Sequence, residues 1–158
     1  ADLPPPHRPM TLRFLALSVA LTALSLSGCR PEEVDPVAPE LGFVSINATE
    51  VESSTTPLTV TLSYRDHQGD LGWSDPDVHA LEVRDTRLDN PDTYHVPPLT
   101  PDGMELDIDG TFLVNLPPLF LLGNGGDEQT RLTFRITDRA GNASNEVESP
   151  LILITDTL

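Results

Sequence analysis

The chain has 158 residues, of which 25 are acidic and 9 are basic, so its formal net charge is -16. All nine basic residues are Arg, and a surface this acidic repels phosphate backbones, which argues against nucleic acid as a partner. The length suits one domain with appendages. The single cysteine excludes an internal disulfide and a cysteine-based zinc cluster.

The N-terminal part has the pattern of a secretory signal peptide over residues 10–28. A positive segment ending at Arg13 precedes an apolar run over residues 14–26, which is too short for a comfortable membrane span. Residues 1–9 fit neither a signal nor a fold, so we interpret them as a non-structural leader or as an extension upstream of a start at Met10. The alternative, a buried core helix that ends in an ordinary thiol, is disfavoured because the motif, its position and the lone cysteine agree.

The end of this run, Leu26-Ser27-Gly28-Cys29, resembles the lipobox of bacterial lipoproteins. The resemblance implies cleavage before Cys29 and acylation of Cys29, where each buried methylene contributes about 0.8 kcal/mol of membrane anchoring. Residues 29–40 are rich in acids and prolines and form an expected disordered tether. Acids after the lipidated cysteine resemble the export signal of Bacteroidetes surface lipoproteins, which implies the outer membrane, and from there the cell surface, as the location.

Residues 41–158 are expected to fold as an all-β domain. From Leu58 to Arg65 apolar and polar side chains alternate strictly, and residues 131–137 alternate in the same way, as is typical of half-buried antiparallel strands. Further short strands are expected at residues 41–46, 79–84, 94–96 and 151–154.

Two segments between these strands are expected to reverse or extend the chain. The dipeptide Asp109-Gly110 predicts a hairpin turn between strands at residues 104–108 and 111–116. Residues 117–129 are expected to form a long loop, whose apolar tip either is exposed for contact or folds back to plug the end of the domain. About seven short strands with turns at regular intervals predict an immunoglobulin-like antiparallel β-sandwich.

Two segments carry a family resemblance. Tyr64-Arg65-Asp66-His67-Gln68-Gly69-Asp70-Leu71-Gly72 resembles a segment of small Bacteroidetes lipoproteins with an Ig-like domain. The segment Asp138-Arg139-Ala140-Gly141-Asn142-Ala143-Ser144-Asn145 resembles the turn between the last strands of the same proteins and of many bacterial Ig-like repeats. The resemblance implies fold and location, and it brings no activity with it.

The acidic stretch from Asp66 to Asp77 is the main candidate site. In an Ig-like order it lies at the same end of the sandwich as the 138–145 turn, so carboxylate and amide oxygens are expected to converge there as calcium ligands. The alternative is that Asp66 and Asp138 cap backbone N–H groups in turns. The spacing does not match an EF-hand loop. The candidate calcium ligands are Asp66, Asp70, Asp75, Asp77, Asp138 and Asn142.

The sequence contains no motif for nucleophilic or nucleotide chemistry, so we expect no enzymatic activity. The leading hypothesis is a membrane-anchored Ig-like module that serves as a structural, adhesive or accessory binding protein, with outer-membrane proteins, surface proteins or glycans as candidate partners and calcium as a candidate stabiliser. The alternative is a carbohydrate-binding or hydrolytic lipoprotein that uses Trp73 and the neighbouring acids. Trp73 is either an exposed stacking platform or a core residue beneath the loop.

Overall fold

The computed structural model describes residues 37–101, 104 and 106–156. The expected leader, signal peptide, Cys29 and most of the tether lie outside these ranges. Within them the chain is all-β, with no α-helix and so no helix that could cross a membrane. The ten strands are β1 (Glu40–Ile46), β2 (Glu50–Glu52), β3 (Leu58–Asp66), β4 (Leu81–Asp85), β5 (Asp92–Tyr94), β6 (Ile108–Leu116), β7 (Glu128–Thr130), β8 (Leu132–Ile136), β9 (Val147–Glu148) and β10 (Ile152–Thr155).

These strands form three sheets with the orders β1-β3-β6, β5-β4-β8-β9 and β2-β10-β7. All pairings are antiparallel except that of β2 with β10, which is parallel. The arrangement is consistent with a β-sandwich. The strand number exceeds the expected seven because β2, β7 and β9 have two or three residues each, too few to show a period in the sequence.

The alternation expected for β3 is confirmed. Leu58, Val60 and Leu62 are completely buried, whereas Thr59 and Thr61 on the other face are only half-buried. Burying each of these three aliphatic side chains stabilises the fold by about 1.5–3 kcal/mol. β3 is the central strand of its sheet, since it pairs with β1 on one side and with β6 on the other.

The expected hairpin at Asp109-Gly110 is wrong, because both residues lie inside the continuous strand β6. Asp109 pairs with Arg65 and Gly110 pairs with Tyr64 in an unbroken antiparallel ladder. The Tyr64 ring lies over Gly110, and a Cβ atom at position 110 would come within 2.9 Å of the tyrosine hydroxyl. The glycine therefore permits a close side-chain contact within a strand and does not make a turn.

The core contains aliphatic side chains from all three sheets, with Phe134 as its largest fully buried residue. The segment after β6 contributes Leu119 and Leu121, which pack against this core, while Phe120 and Leu122 remain exposed. The buried core residues are Leu41, Val51, Leu58, Val60, Leu62, Leu71, Ala80, Leu81, Val83, Val96, Val114, Leu116, Leu132, Phe134, Ile136, Ile152 and Ile154. The tip of this loop thus has alternating buried and exposed side chains, so it both covers the core and presents apolar surface.

The registers define two ends of the strands. Glu40, where the chain enters β1, pairs with Arg65 near the end of β3, and Leu81 at the start of β4 pairs with Ile136 at the end of β8. We call this the entry end. The opposite end contains Leu58, where β3 begins.

Candidate functional site

The 66–77 and 138–145 loops meet at the entry end, as expected. The backbone N–H of Arg139 donates to the carbonyl oxygen of Asp70 at 3.1 Å, and the N–H of Ala140 donates to Oδ2 of Asp70 at 3.0 Å. Asp70 therefore binds the second loop through both its main chain and its side chain. The two loops follow β3 and β8, which belong to different sheets, so this contact ties the sheets together.

Asp66 organises the first loop. Only 1% of its surface is exposed, and its carboxylate accepts hydrogen bonds from the N–H groups of Gln68 (3.1 Å), Asp70 (2.8 Å) and Leu71 (3.1 Å). Gly72 follows with a φ of 83°, and a Cβ atom there would collide with the carbonyl oxygen of Pro97. The loop has this conformation because Asp66 provides a buried acceptor for its N–H groups and Gly72, six residues later, adopts a left-handed conformation.

Asp138 has the same role in the second loop. It is also 1% exposed, and its carboxylate accepts from the backbone N–H of Asn142 at 2.7 Å and from the side-chain Nδ2 of Asn142 at 2.9 Å. Gly141 adopts a φ of 91° in this turn, and its N–H donates to the carbonyl oxygen of Asp138. Asp138 therefore caps this turn through two hydrogen bonds donated by Asn142.

A guanidinium group supplies the positive charge at this junction. Arg139 donates from Nη1 to the carbonyl oxygen of Gly72 at 3.2 Å and from Nη2 to that of Gly69 at 3.3 Å. Thr100 also donates to the carbonyl oxygen of Gly69 through its hydroxyl. These bonds hold the first loop from two sides.

The electrostatics of the junction centre on Asp70. Burial raises the pKa of its carboxyl, and the negative charges of Asp138 and Asp66 raise it further, against the opposing hydrogen bond from Ala140 and the charge of Arg139. Its Oδ1 atom is buried and has no hydrogen-bond partner among the described residues. Ionised Asp70 therefore costs stability, because one carboxylate oxygen has lost water without gaining a donor.

The candidate calcium ligands are only partly brought together. Asp66, Asp70, Asp138 and Asn142 lie at the junction of the two loops, as the bonds above show. The other two candidates, Asp75 and Asp77, lie on an exposed turn, where Oδ1 of Asp75 accepts from the N–H of Asp77 at 3.0 Å.

The junction residues fit turn formation better than they fit calcium. Calcium takes six to eight oxygen ligands, but the Asp66 and Asp138 oxygens already accept from backbone and amide N–H groups. In the described ranges, no group of three or more acidic, histidine or cysteine side chains is arranged to hold a metal ion. Among the described side chains, only Oδ1 of Asp70 and Oε1 of Gln68 remain as buried, unpaired oxygens near the junction.

Trp73 lies beneath the loop and against the core. It is half-buried, packs on the hydrophobic cluster, and its backbone N–H donates to the carbonyl oxygen of Val96 at 2.9 Å. Its Nε1 atom is buried without a hydrogen-bond partner in the described part of the chain. This placement leaves only part of the indole accessible for stacking on a ligand.

The sequence reasoning missed an ionic cluster at the opposite end. Arg87 forms hydrogen-bonded ion pairs with Asp85 and Glu128, and Thr130 donates to Asp85 through its hydroxyl. Glu128 also accepts from the N–H groups of Leu122 and Gly123, and so ties down the apolar loop. Arg87 and Glu128 are 41 residues apart, so no local pattern in the sequence indicates their contact.

The pKa values in this cluster follow from its hydrogen bonds. Burial alone would raise the pKa of Asp85, but hydrogen bonds from Arg87 and Thr130 outweigh it and hold the pKa of this carboxyl below its ordinary value. The N–H groups of Gly123 and Leu122 lower the pKa of Glu128, with help from Arg87. Both carboxylates therefore stay ionised at neutral pH.

Comparison of the chain with protein-family models, with curated proteins and with solved structures finds no match.

Proposed function

We propose that this protein is a non-catalytic, lipid-anchored Ig-like module that acts at the outer membrane or the cell surface as a structural, adhesive or accessory binding protein. The anchor follows from the lipobox-like sequence Leu26-Ser27-Gly28-Cys29. Acylation at Cys29 would hold the domain to the membrane through the acidic segment that precedes β1.

The Ig-like assignment is supported by the order of the strands. The chain crosses repeatedly between the sheets β1-β3-β6 and β5-β4-β8-β9. It passes from β3 to β4 in the other sheet, and from β5 back to β6. Crossings of this kind between two antiparallel sheets are typical of Greek-key sandwiches. The parallel pairing of β2 with β10 belongs to the third sheet and joins the early and late parts of the described chain.

The observation that carries the proposal is the use of the conspicuous acids at the entry end. Asp66 and Asp138 are buried and accept hydrogen bonds from turn N–H groups, so they serve the fold and are not presented to a substrate. General acid or base catalysis requires a carboxyl group within reach of a bound substrate. The hydrogen bonds of Asp66 and Asp138 therefore favour a structural role for these two buried acids.

Lipid attachment is tested by expressing the full chain in a Gram-negative host and determining the mass of its N-terminal peptide. We expect cleavage before Cys29 and acyl chains on that residue, with the protein in the membrane fraction. The Cys29→Ser variant should lose both the lipid and the membrane association. An intact N-terminus with an unmodified thiol would contradict the proposal.

Protease treatment of intact cells tests the location, and a glycan array tests the alternative function. Surface exposure predicts digestion of the wild-type protein without cell lysis. Glycan binding that is lost in Trp73→Ala, at an unchanged unfolding midpoint, would support the carbohydrate-binding alternative. Signals equal to those of a protein-free control across the array would count against it.

A further inference from the structure

Strand β6 has an unusually long open edge. It has nine residues and pairs on one side with β3. Among the described residues, no backbone group pairs with its other side. Long unpaired edges are normally shortened, charged or covered, because they template pairing with another strand. The edge strand β5 of the neighbouring sheet follows this rule, since it has three residues and begins with Asp92.

The backbone groups at this edge can be assigned from a neighbouring contact. The N–H of Thr59 donates to Oδ1 of Asn47 at 2.8 Å, and its carbonyl oxygen accepts from the N–H of Asn47 at 3.1 Å, so both groups point toward β1. Backbone groups alternate in direction along a strand. The N–H and C=O groups of Val60 therefore point toward β6, and those of its partner Val114 point back toward β3. It follows that Thr111, Leu113 and Asn115 direct their N–H and C=O groups to the open edge.

An apolar groove of about 460 Å³ adjoins this edge. It lies between β6 and residues 94–99, and Leu81, Val96 and Val114 at its base are buried core residues. On the outer face of the same strand, Leu113 is 66% exposed, which is the largest exposure of any large apolar side chain in the described chain. Hydrogen-bonding groups and apolar pockets thus occur side by side, as strand addition requires.

The charges around the groove indicate what it accepts. None of the residues that line it is acidic or is Arg, although 34 of the 158 residues of the chain are charged. Acids occur toward both ends: Asp109 lies near the start of β6, and Asp92 is close enough to the groove residue Tyr94 to help raise the pKa of its hydroxyl, after burial. A neutral centre between acidic ends complements a strand with apolar residues in its middle and basic residues at its ends.

We propose that the open edge of β6 and the adjoining groove form a strand-addition site for an extended peptide of a partner protein, with apolar residues at alternate positions and basic residues at its ends. The peptide backbone would pair with Thr111, Leu113 and Asn115, and its inward side chains would fill the groove. A second copy of this chain fits less well, because two proteins of charge -16 repel each other. The inference does not depend on the lipid anchor.

The probe is the synthetic peptide Arg-Val-Thr-Val-Thr-Val-Thr-Arg, and the control peptide has the same composition with its three Val residues in one run. The purified full chain is titrated with each peptide, and amide hydrogen exchange is followed at single residues. We expect saturable binding of the first peptide below about 1 mM. Exchange at Thr111, Leu113 and Asn115 should slow by at least about 10-fold, because these amides become hydrogen-bonded.

Two substitutions at one position distinguish binding at this site from nonspecific binding of the peptide. Leu113→Pro removes an outward N–H without removing a hydrogen bond to β3, and Leu113→Lys adds a positive charge that repels the basic peptide. Both should abolish binding, whereas Val44→Lys, at an exposed apolar residue of β1 on the other edge of the same sheet, should leave it unchanged. Leu113→Lys remains informative if the proline variant unfolds.

Three results of the peptide titrations would overturn the proposal. They are no saturable binding of the alternating peptide, equal binding of the two peptides, and binding that persists in Leu113→Lys. Protection of the β6 amides that rises with protein concentration in the absence of peptide would also overturn it, because it would assign the edge to a second copy of this chain.

Discussion

Leu41 and Asn145 exchange two hydrogen bonds across 104 residues of sequence. The backbone N–H of Leu41 donates to Oδ1 of Asn145 at 2.9 Å, and Nδ2 of Asn145 donates to the carbonyl oxygen of Leu41 at 2.9 Å. One side chain thus acts like a paired strand residue, and it fixes the point where the chain enters its first sheet. In a tethered protein this junction would bear any force on the anchor.

Removal of this side chain should loosen β1. We expect Asn145→Ala to lower the free energy of unfolding by about 1–3 kcal/mol, because two backbone groups of Leu41 lose their partners. Exchange of the Leu41 amide should accelerate more than exchange in β3. Chemical denaturation and hydrogen exchange measure the two effects. Asn124→Ala, in an exposed loop, is the matched control and should change stability by less than about 0.5 kcal/mol.

Loss of the Asp66 carboxylate should be among the most damaging single changes in the loops. Asp66→Ala leaves three N–H groups without their acceptor, and we expect a loss of about 3 kcal/mol or more in the free energy of unfolding. The exposed Asp75 accepts one such bond, so Asp75→Ala should cost about 1 kcal/mol or less. Equal effects of the two substitutions on the denaturation midpoint would contradict the capping role of Asp66.

Asp70 should make the protein less stable as its carboxyl ionises. Its pKa in the folded state lies above the ordinary value of 3.8, so its stabilising contribution is complete below that value and is lost as pH rises through the folded-state pKa. We therefore expect Asp70→Asn to raise the melting temperature at pH 7, provided that the amide oxygen keeps the bond from Ala140. The gain should shrink as pH falls toward 3.8. A constant gain from pH 3 to 7 would show that ionisation is not its cause.

Arg87 should contribute to stability through the two carboxylates it pairs. Arg87→Ala leaves Asp85 buried without its main partner, and we expect a loss of about 3 kcal/mol in the free energy of unfolding. Arg135 is exposed, so Arg135→Ala is the control and should cost less than about 0.5–1 kcal/mol. The lowered pKa of Asp85 means that its contribution is present above 3.8 and is lost as pH falls through the folded-state pKa. In Arg87→Ala the acid sensitivity from Asp85 should therefore be smaller, which a series of melting temperatures against pH would detect.

Calcium should have little effect on the loops at the entry end. The oxygens of Asp66 and Asp138 already accept N–H groups, so we expect the melting temperature to change by less than about 2 °C between excess EDTA and millimolar calcium. A larger calcium-dependent increase, abolished in Asp70→Asn, would instead assign a cation to the junction. Magnesium at the same ionic strength controls for screening of the acidic surface.

Strong local patterns in the sequence predicted the main strands, and the Ig-like strand order expected from them predicted the meeting of the two loops. The alternation in β3 reflects a buried face and a more open face, and such a pattern depends on local residues alone, whereas in β8 Thr133 on the polar face is also buried. The dipeptide Asp109-Gly110 failed because its usual role as a turn was overridden by a tertiary contact, the ring of Tyr64 over Gly110.

The sequence predicted where the candidate site lies better than it predicted what the carboxylates there do. That Asp66 and Asp138 cap turns was one of two interpretations, and the choice between them needed the N–H positions that only the fold supplies. No local pattern in the sequence indicates the cluster of Arg87 with Glu128, and none indicates the open edge of β6. Both depend on which strands become neighbours, and partners 41 residues apart in sequence are not specified by spacing.

The placement of β10 has a consequence for how the protein acquires its structure. This strand lies between β2 and β7, and Thr155 contacts Val51 over 104 residues of sequence. Until residues 152–155 have emerged from the ribosome, Val51 has no sheet to enter and the core stays open on that side. Structure formation is therefore delayed until β10 has been synthesised, and the long loops that must close make it slow. A chain truncated before Ile152 should behave as a protease-sensitive, partly collapsed polypeptide, which is also the state in which a nascent chain can pass through a narrow pore.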